Sequence, residues 1–140
     1  IEITVPVNAI SNVSLAGSGD VISYFMLNAA SFKISLAGSG DIKLGIEAQD
    51  ITANLSGSGD IELKGKATNF TAALAGSGDI EAQELQAENA KVSLAGSGDI
   101  ETYCTQSIEA RVSGSGDIQY KGNPTKVDTK VSGSGTIKMN

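Results

Sequence analysis

The tetrapeptide Gly-Ser-Gly-Asp occurs six times, at residues 17–20, 38–41, 57–60, 76–79, 96–99 and 114–117, and a degenerate copy, Gly-Ser-Gly-Thr, follows at 133–136. Successive copies lie 21, 19, 19, 20, 18 and 19 residues apart. A unit of this length cannot bury an apolar face by itself and must stack on its neighbours, so the period alone points to a solenoid. Units beginning near residues 12, 33, 52, 71, 91, 109 and 128 predict about seven coils in one domain spanning 1–140, since no linker interrupts the repeat.

The unit from Thr52 to Phe70 serves as the type. Ala53 and Leu55 alternate with Asn54 and Ser56, the period of a strand with one buried face. The strand stops at Gly57-Ser58-Gly59-Asp60, where two glycines permit a sharp corner and the aspartate can accept hydrogen bonds from turn amides or from the serine hydroxyl. A second short strand follows, with Ile61 and Leu63 on one side and Glu62 on the other. Lys64-Gly65-Lys66 turns the chain again into a third stretch, 67–70. Aligning the units produces three aliphatic columns: Leu15, Leu36, Leu55, Leu74, Leu94, Val112 and Val131 before the corner; Val21, Ile42, Ile61, Ile80, Ile100, Ile118 and Ile137 after it; and Phe32, Ile51, Phe70, Ala90, Ile108 and Val127 closing the cross-section. Several short strands per coil and no helical period predict an all-β, single-stranded parallel β-helix about 35 Å long at about 4.8 Å per coil. Left-handed β-helices keep a strict hexapeptide beat, and the drift in coil length here favours the right-handed form.

Composition removes several functions. The net charge is −6, and the ten cations, including the lone Arg111, are scattered rather than clustered, so the basic stripe that tracks phosphates is missing and nucleic acid is not an expected partner. With no histidine, neither a serine nor the single cysteine, Cys104, has an imidazole base to activate it. Cys104 reads as a small core filler. No apolar run of about 18 residues is present to span a membrane as a helix. The chain starts at Ile1 without a basic-then-apolar leader, as expected of a processed product or the C-terminal part of a longer exported protein.

The repeated aspartates, Asp20, Asp41, Asp60, Asp79, Asp99 and Asp117, are the sharpest chemical candidate. Carboxylates stacked one coil apart repel, and something must offset that. Calcium-binding β-rolls solve the problem with two acidic loops per turn, whereas this chain has one, so the aspartates are assigned to fixing the corner together with Gly17, Gly38, Gly57, Gly76, Gly96 and Gly114. Neither a metal nor any other cofactor is expected. A phosphate cradle would need a helix after the glycines, and a strand follows each copy instead. A second candidate is the outward row of the strand before the corner, Ser14/Ala16, Ser35/Ala37, Asn54/Ser56, Ala73/Ala75 and Ser93/Ala95, small and uncharged over five coils. The strand after the corner shows Lys43, Glu62, Glu81, Glu101 and Gln119 outward. Steric crowding beside a glycine corner also favours small residues, and a contact face is the alternative reading of the same row.

The Gly-Ser-Gly-Asp-Ile/Val repeat resembles the head GIN domain family of auto-transporter adhesins. The close of the chain, Asp117-Ile118-Gln119-Tyr120-Lys121-Gly122-Asn123-Pro124 followed by Val131-Ser132-Gly133-Ser134-Gly135, is similar to the family's ending, and the resemblance covers essentially the whole sequence from Ile3-Thr4-Val5-Pro6. It implies a β-helical fold, export to the envelope or surface of a Gram-negative bacterium, and an adhesive role toward a protein or glycan ligand, without enzymatic activity. Family members carry a leader and further strands before this point, which the sequence lacks. The expected function is therefore non-catalytic surface contact, with self-association through the same face as a further expectation. The alternatives are a carbohydrate-active β-helix, which would gather acids and arginines into one belt, and a structural spacer.

Overall fold

The computed structural model describes residues 2–4, 12–17 and 19–139, with side chains for Gly17, Gly19, Asp20 and residues 31–138. The chain is an all-β solenoid of about six turns. Its strands are β1 (Glu2–Thr4), β2 (Asn12–Gly17), β3 (Asp20–Gly38), β4 (Asp41–Gly57), β5 (Asp60–Gly76), β6 (Asp79–Gly96), β7 (Asp99–Gly114), β8 (Asp117–Lys121), β9 (Lys126–Gly133) and β10 (Thr136–Met139). Every pairing is parallel and joins residues one coil apart: β3 through β7 stack in order, β8 and β9 both lie on β7, and β10 lies on β8. Seven corners bound six complete turns, so the count of coils is one lower than the count of motifs.

The expected trio of short strands per coil is instead one strand of 16 to 19 residues in β3 to β7. Each coil bends without leaving the hydrogen-bond ladder of its neighbours, so Lys64-Gly65-Lys66 stays inside β5 and pairs with Gly45, Ile46 and Glu47. From β3 to β7 only the Ser-Gly centre of each described corner breaks the strand, while the following coil is also interrupted at 122–125, between β8 and β9. Variation in coil length is absorbed after the corner and not in the strand that leads into it: the register of β3 on β4 slips between Ile22 and Met26, that of β5 on β6 between Glu62 and Lys64, and that of β6 on β7 between Ala82 and Gln86 and again between Ala87 and Asn89. The corner glycines and the strand leading into them remain in register from Gly17 to Gly133.

The aliphatic columns form the core. Leu36, Leu55, Leu74, Leu94 and Val112 are buried before the corner, Ile42, Ile61, Ile80, Ile100 and Ile118 after it, and Phe32, Ile51, Phe70, Ala90 and Ile108 on the third side. The side chains of Leu15 and Val21 lie outside the described residues, although their backbones pair with Leu36 and Ile42. Two expected core positions are exposed: Val127 at 47% and Val131 at 43%. Both are on β9, and among the described residues no later coil covers them. Ala53, read as inward in the type unit, belongs to a further column with Ile34, Ala72, Val92 and Ala110 that helps complete the interior. Cys104 is buried as a free thiol in register with Ala87, which stacks on Ala67. Burial pushes its pKa up to about 11. Thr102 is also fully buried, and its hydroxyl has no hydrogen-bond partner, an arrangement that costs about 1–3 kcal/mol.

Candidate functional site

The corner is built by backbone groups that bond from coil to coil. The Gly38 carbonyl accepts from the amides of Ser58 and Gly59 at 3.0 and 3.2 Å, and the Gly57 carbonyl accepts from Ser77 and Gly78 at the same distances. Gly57 has φ of 129°, a region costly for any residue with a side chain, and a Cβ there would sit 2.4 Å from the Gly38 oxygen. Five of the six corner aspartates accept the amide hydrogen of the residue at the same position one coil on: Asp41 donates to Asp20 Oδ1 at 3.1 Å, Asp79 to Asp60 at 3.2 Å, Asp99 to Asp79 at 3.1 Å, Asp117 to Asp99 at 3.2 Å and Thr136 to Asp117 at 3.1 Å. The sequence suggested glycine amides or serine hydroxyls as the partners. At Gly59, Gly78, Gly116 and Gly135 the glycine amides bond to glycine carbonyls instead, and the aspartate's own rung supplies the donor.

A second polar ladder escaped the sequence reading because its residue types change from coil to coil. Asn69 Nδ2 donates to Asp50 Oδ1 at 2.9 Å, Asn89 Nδ2 to Asn69 Oδ1 at 3.1 Å, and the Ser107 hydroxyl to Asn89 Oδ1 at 2.7 Å. The signal was one position before the third aliphatic column. Beyond the corner, Glu62, Glu81 and Glu101 stack in register. Lys43 caps this row at 4.0 Å from Glu62, and Gln83 Nε2 donates to Glu101 Oε2. Partial burial, then the charges of Glu101 and Glu62, hold the Glu81 carboxyl above its ordinary pKa of 4.5. Among the described residues, no three acidic or sulfur side chains converge on a point that a metal ion would occupy.

The strand before the corner presents a different surface. Ser56, Ala75 and Ala95 are exposed and Asn54 and Ala73 half-buried, all outward, while Leu55, Leu74 and Leu94 point in. Together they line a groove of about 580 Å³ that continues to Arg111, Ser113, Lys130 and Ser132. Its walls are the two outward rows, one led by Asn54 and the other by Ser56, and its floor is the strand segment between them, with mostly apolar atoms exposed. Ser35 and Ala37 extend the rows one coil further, in register with Asn54 and Ser56. Ser14 and Ala16 pair with them in turn, but their side chains are outside the description. Arg111 and Lys130 end the uncharged run of the first row and are themselves part of the groove lining.

These features describe a regular β-solenoid that offers a continuous side-chain surface. Residues 1–124 match the family described as "Putative auto-transporter adhesin, head GIN domain", and the chain belongs to that family. It is similar to a solved putative adhesin from Bacteroides fragilis, with 36% identity and a TM-score of 0.86 over 93% of this chain and 60% of that one. A solved "Putative lipid binding protein" from Parabacteroides distasonis is 32% identical, with a TM-score of 0.75 over 93% of this chain and 61% of that one. A putative adhesin from the same species shares the fold at 23% identity, with a TM-score of 0.81 over 99% of this chain and 63% of its own. The chain thus spans a little under two thirds of each of these relatives. No curated protein matches the sequence significantly. Among the described residues, no helix is long and apolar enough to cross a membrane.

Proposed function

We propose that this domain is the contact head of an exported envelope protein and acts without catalysis, its working surface being the small-residue face before the corner. The observation that carries the reading is the continuous groove along that face, running unbroken over successive coils beside a strand whose outward row is charged. A solvated sheet face ordinarily carries lysine, glutamate or threonine, which also discourage sheet-to-sheet association. Uniform repetition suits a surface that makes the same contact many times, and family membership supports an envelope location and an adhesive task.

A lysine at Ala75 or Ala37 tests it. Both residues are exposed, so either substitution should leave the melting temperature within a few degrees of the parent. Ala75→Lys should abolish binding to the ligand found in a screen of glycans and matrix proteins, and any self-association through this face should go with it in sedimentation. Parental behaviour of both variants in both measurements would place the working surface elsewhere.

A further inference from the structure

The last rung before the final corner, β9, is paired on one side only: it lies on β7, and among the described residues nothing lies on its other edge. It carries the exposed Val127 and Val131, in columns that are buried one rung earlier at Ile108 and Val112. Its outward residues repeat the charges of the rung beneath. Asp128 stacks on Glu109 and Lys130 on Arg111, like on like in both columns. Elsewhere among the described residues, a cation whose rung partner is charged faces a carboxylate, as Lys43 faces Glu62 and Lys64 faces Glu84. Glu109 and Arg111 pair with each other at 3.1 Å, and among the described residues neither Asp128 nor Lys130 has an ion-pair partner. Each column therefore ends on an unmatched charge, negative at Asp128 and positive at Lys130.

A second copy laid on this edge in the parallel sense would stack Asp128 on Asp128 and Lys130 on Lys130, which is repulsive at both. The rung also ends at Thr136, which stands where five earlier corners have an aspartate accepting the amide of the following coil. An antiparallel copy meets the opposite situation. In the segment Lys126-Val127-Asp128-Thr129-Lys130-Val131-Ser132, a two-fold axis through Thr129 sets Val127 against Val131 and Asp128 against Lys130, each twice. Moving the axis to residue 128 or 130 sets Asp128 or Lys130 against itself, and an axis between residues turns the valines to the outward face, so the charges and the pleat select one register. Opposed side chains in such a pair stand about 5 Å apart, within reach of ion pairing and apolar contact. We infer that β9 is a homodimer interface, through which two copies of this chain join end to end in an antiparallel pair about a two-fold axis at Thr129. The interface is isologous and closes at two copies, so it does not run on into a fibre. Because β9 is the last rung of the small-residue face, the pairing joins the faces of two copies into one longer surface. The inference goes beyond the proposed function and does not depend on it.

Sedimentation equilibrium of the full chain should show monomer and dimer exchanging in the micromolar range, since the end of one coil is a small interface. Asp128→Lys and Lys130→Asp should each weaken the dimer by about tenfold or more, because each sets like charges against one another across the axis. Combining the two substitutions restores opposite charges and should bring the dimer back to within about threefold of the parent. All three variants alter exposed positions and relieve a like-charge stack on β7, so the fold is not at stake. Thr129→Cys, which meets its own copy at the axis, should cross-link on mild oxidation, whereas Ser132→Cys, which meets Lys126, should not; the buried Cys104 does not compete. Ala75→Lys, away from the last rung, should leave the dimer at the parental level. Single variants within about twofold of the parent, or a combined variant as weak as the single ones, overturn the inference. So do assemblies larger than a dimer, loss of the dimer in Ala75→Lys, or equal cross-linking of the two cysteine variants. A monomer at millimolar concentration overturns it as well, and protection of the β9 amides from hydrogen exchange in that monomer would assign the edge to another segment of the same polypeptide.

Discussion

The strands on either side of the corner belong to the same coils, obey the same register and bury equally apolar inner faces, yet their outer faces have little in common. Before the corner, Ser56, Ala75 and Ala95 form a smooth row; after it, Glu62, Glu81 and Glu101 form a charged one. In a parallel solenoid every outward residue is stacked on its own homologue, so whatever the repeat places there is multiplied along the axis. A small neutral residue multiplied in this way becomes a continuous surface. A carboxylate becomes a column of repelling charges that needs a donor, a cation or a shifted pKa at intervals. The corner aspartates obtain backbone amides, Glu62 obtains Lys43, and Glu81 is left with a raised pKa. The contrast therefore separates a face under electrostatic constraint from one free of it.

What the two faces share is the hinge between them, and breaking it should have the largest effect. Gly57→Ala places a methyl group 2.4 Å from the Gly38 carbonyl oxygen at a φ of 129°. Neither the backbone nor the neighbouring coil can move without disturbing the ladder, so the variant should lose more than about 4 kcal/mol or fail to fold. A cooperative melt near the parental temperature would show that the corner can rearrange. Across the hinge, Leu55→Ala should cost about 2–5 kcal/mol, because it opens a cavity between Leu36 and Leu74. Glu62→Ala on the outer row should change stability by less than about 0.5 kcal/mol in denaturant titrations. Similar costs at the two positions would contradict the inward and outward assignments.

How much of this was legible beforehand follows from which properties repeat. Gly57, Asp60, Leu55 and Ile61 keep their type in nearly every unit, so period and alternation revealed the corner and the columns, and with them the solenoid. The polar ladder through Asp50, Asn69, Asn89 and Ser107 was hidden, since acid, amide and hydroxyl fill one structural role in different coils. The hydrogen-bond partner of Asp60 was hidden for another reason: it is the amide of Asp79, a group every residue carries, and only the register of two coils identifies it. Val127 and Val131 match the inward pattern and are nonetheless exposed, because burial at the last rung depends on a neighbour that the pattern itself does not supply. Arg111 and Lys130 are single departures from a repeat, where comparison between units has least to say, and their place in one groove lining came from the structure.

The smallest effect, and the one that most directly separates the two faces, concerns Glu81. Its carboxyl is held above the ordinary pKa of 4.5 first by burial and then by Glu101, Glu62, Asp60 and Asp79, so the folded chain binds this proton more tightly than the unfolded chain does. Stability from that difference is fully present below about pH 4.5 and is lost as the pH rises through the raised value, the reverse of a carboxylate held by a cation. Glu81→Gln removes the titration without removing the side chain's bulk. The variant should match the parent near pH 4 and melt slightly higher at pH 7, with a gain under about 0.5 kcal/mol because the group is exposed and water screens it. Added salt should shrink the part of the gain at pH 7 that comes from repulsion by Glu101 and Glu62 and leave the part that comes from burial. Ser93→Gln, on the neutral face of the same strand, β6, should show no such dependence on pH or salt. A gain for Glu81→Gln that is equal at both pH values would assign the effect to packing, and the electrostatic distinction between the two faces would have to be abandoned at this rung.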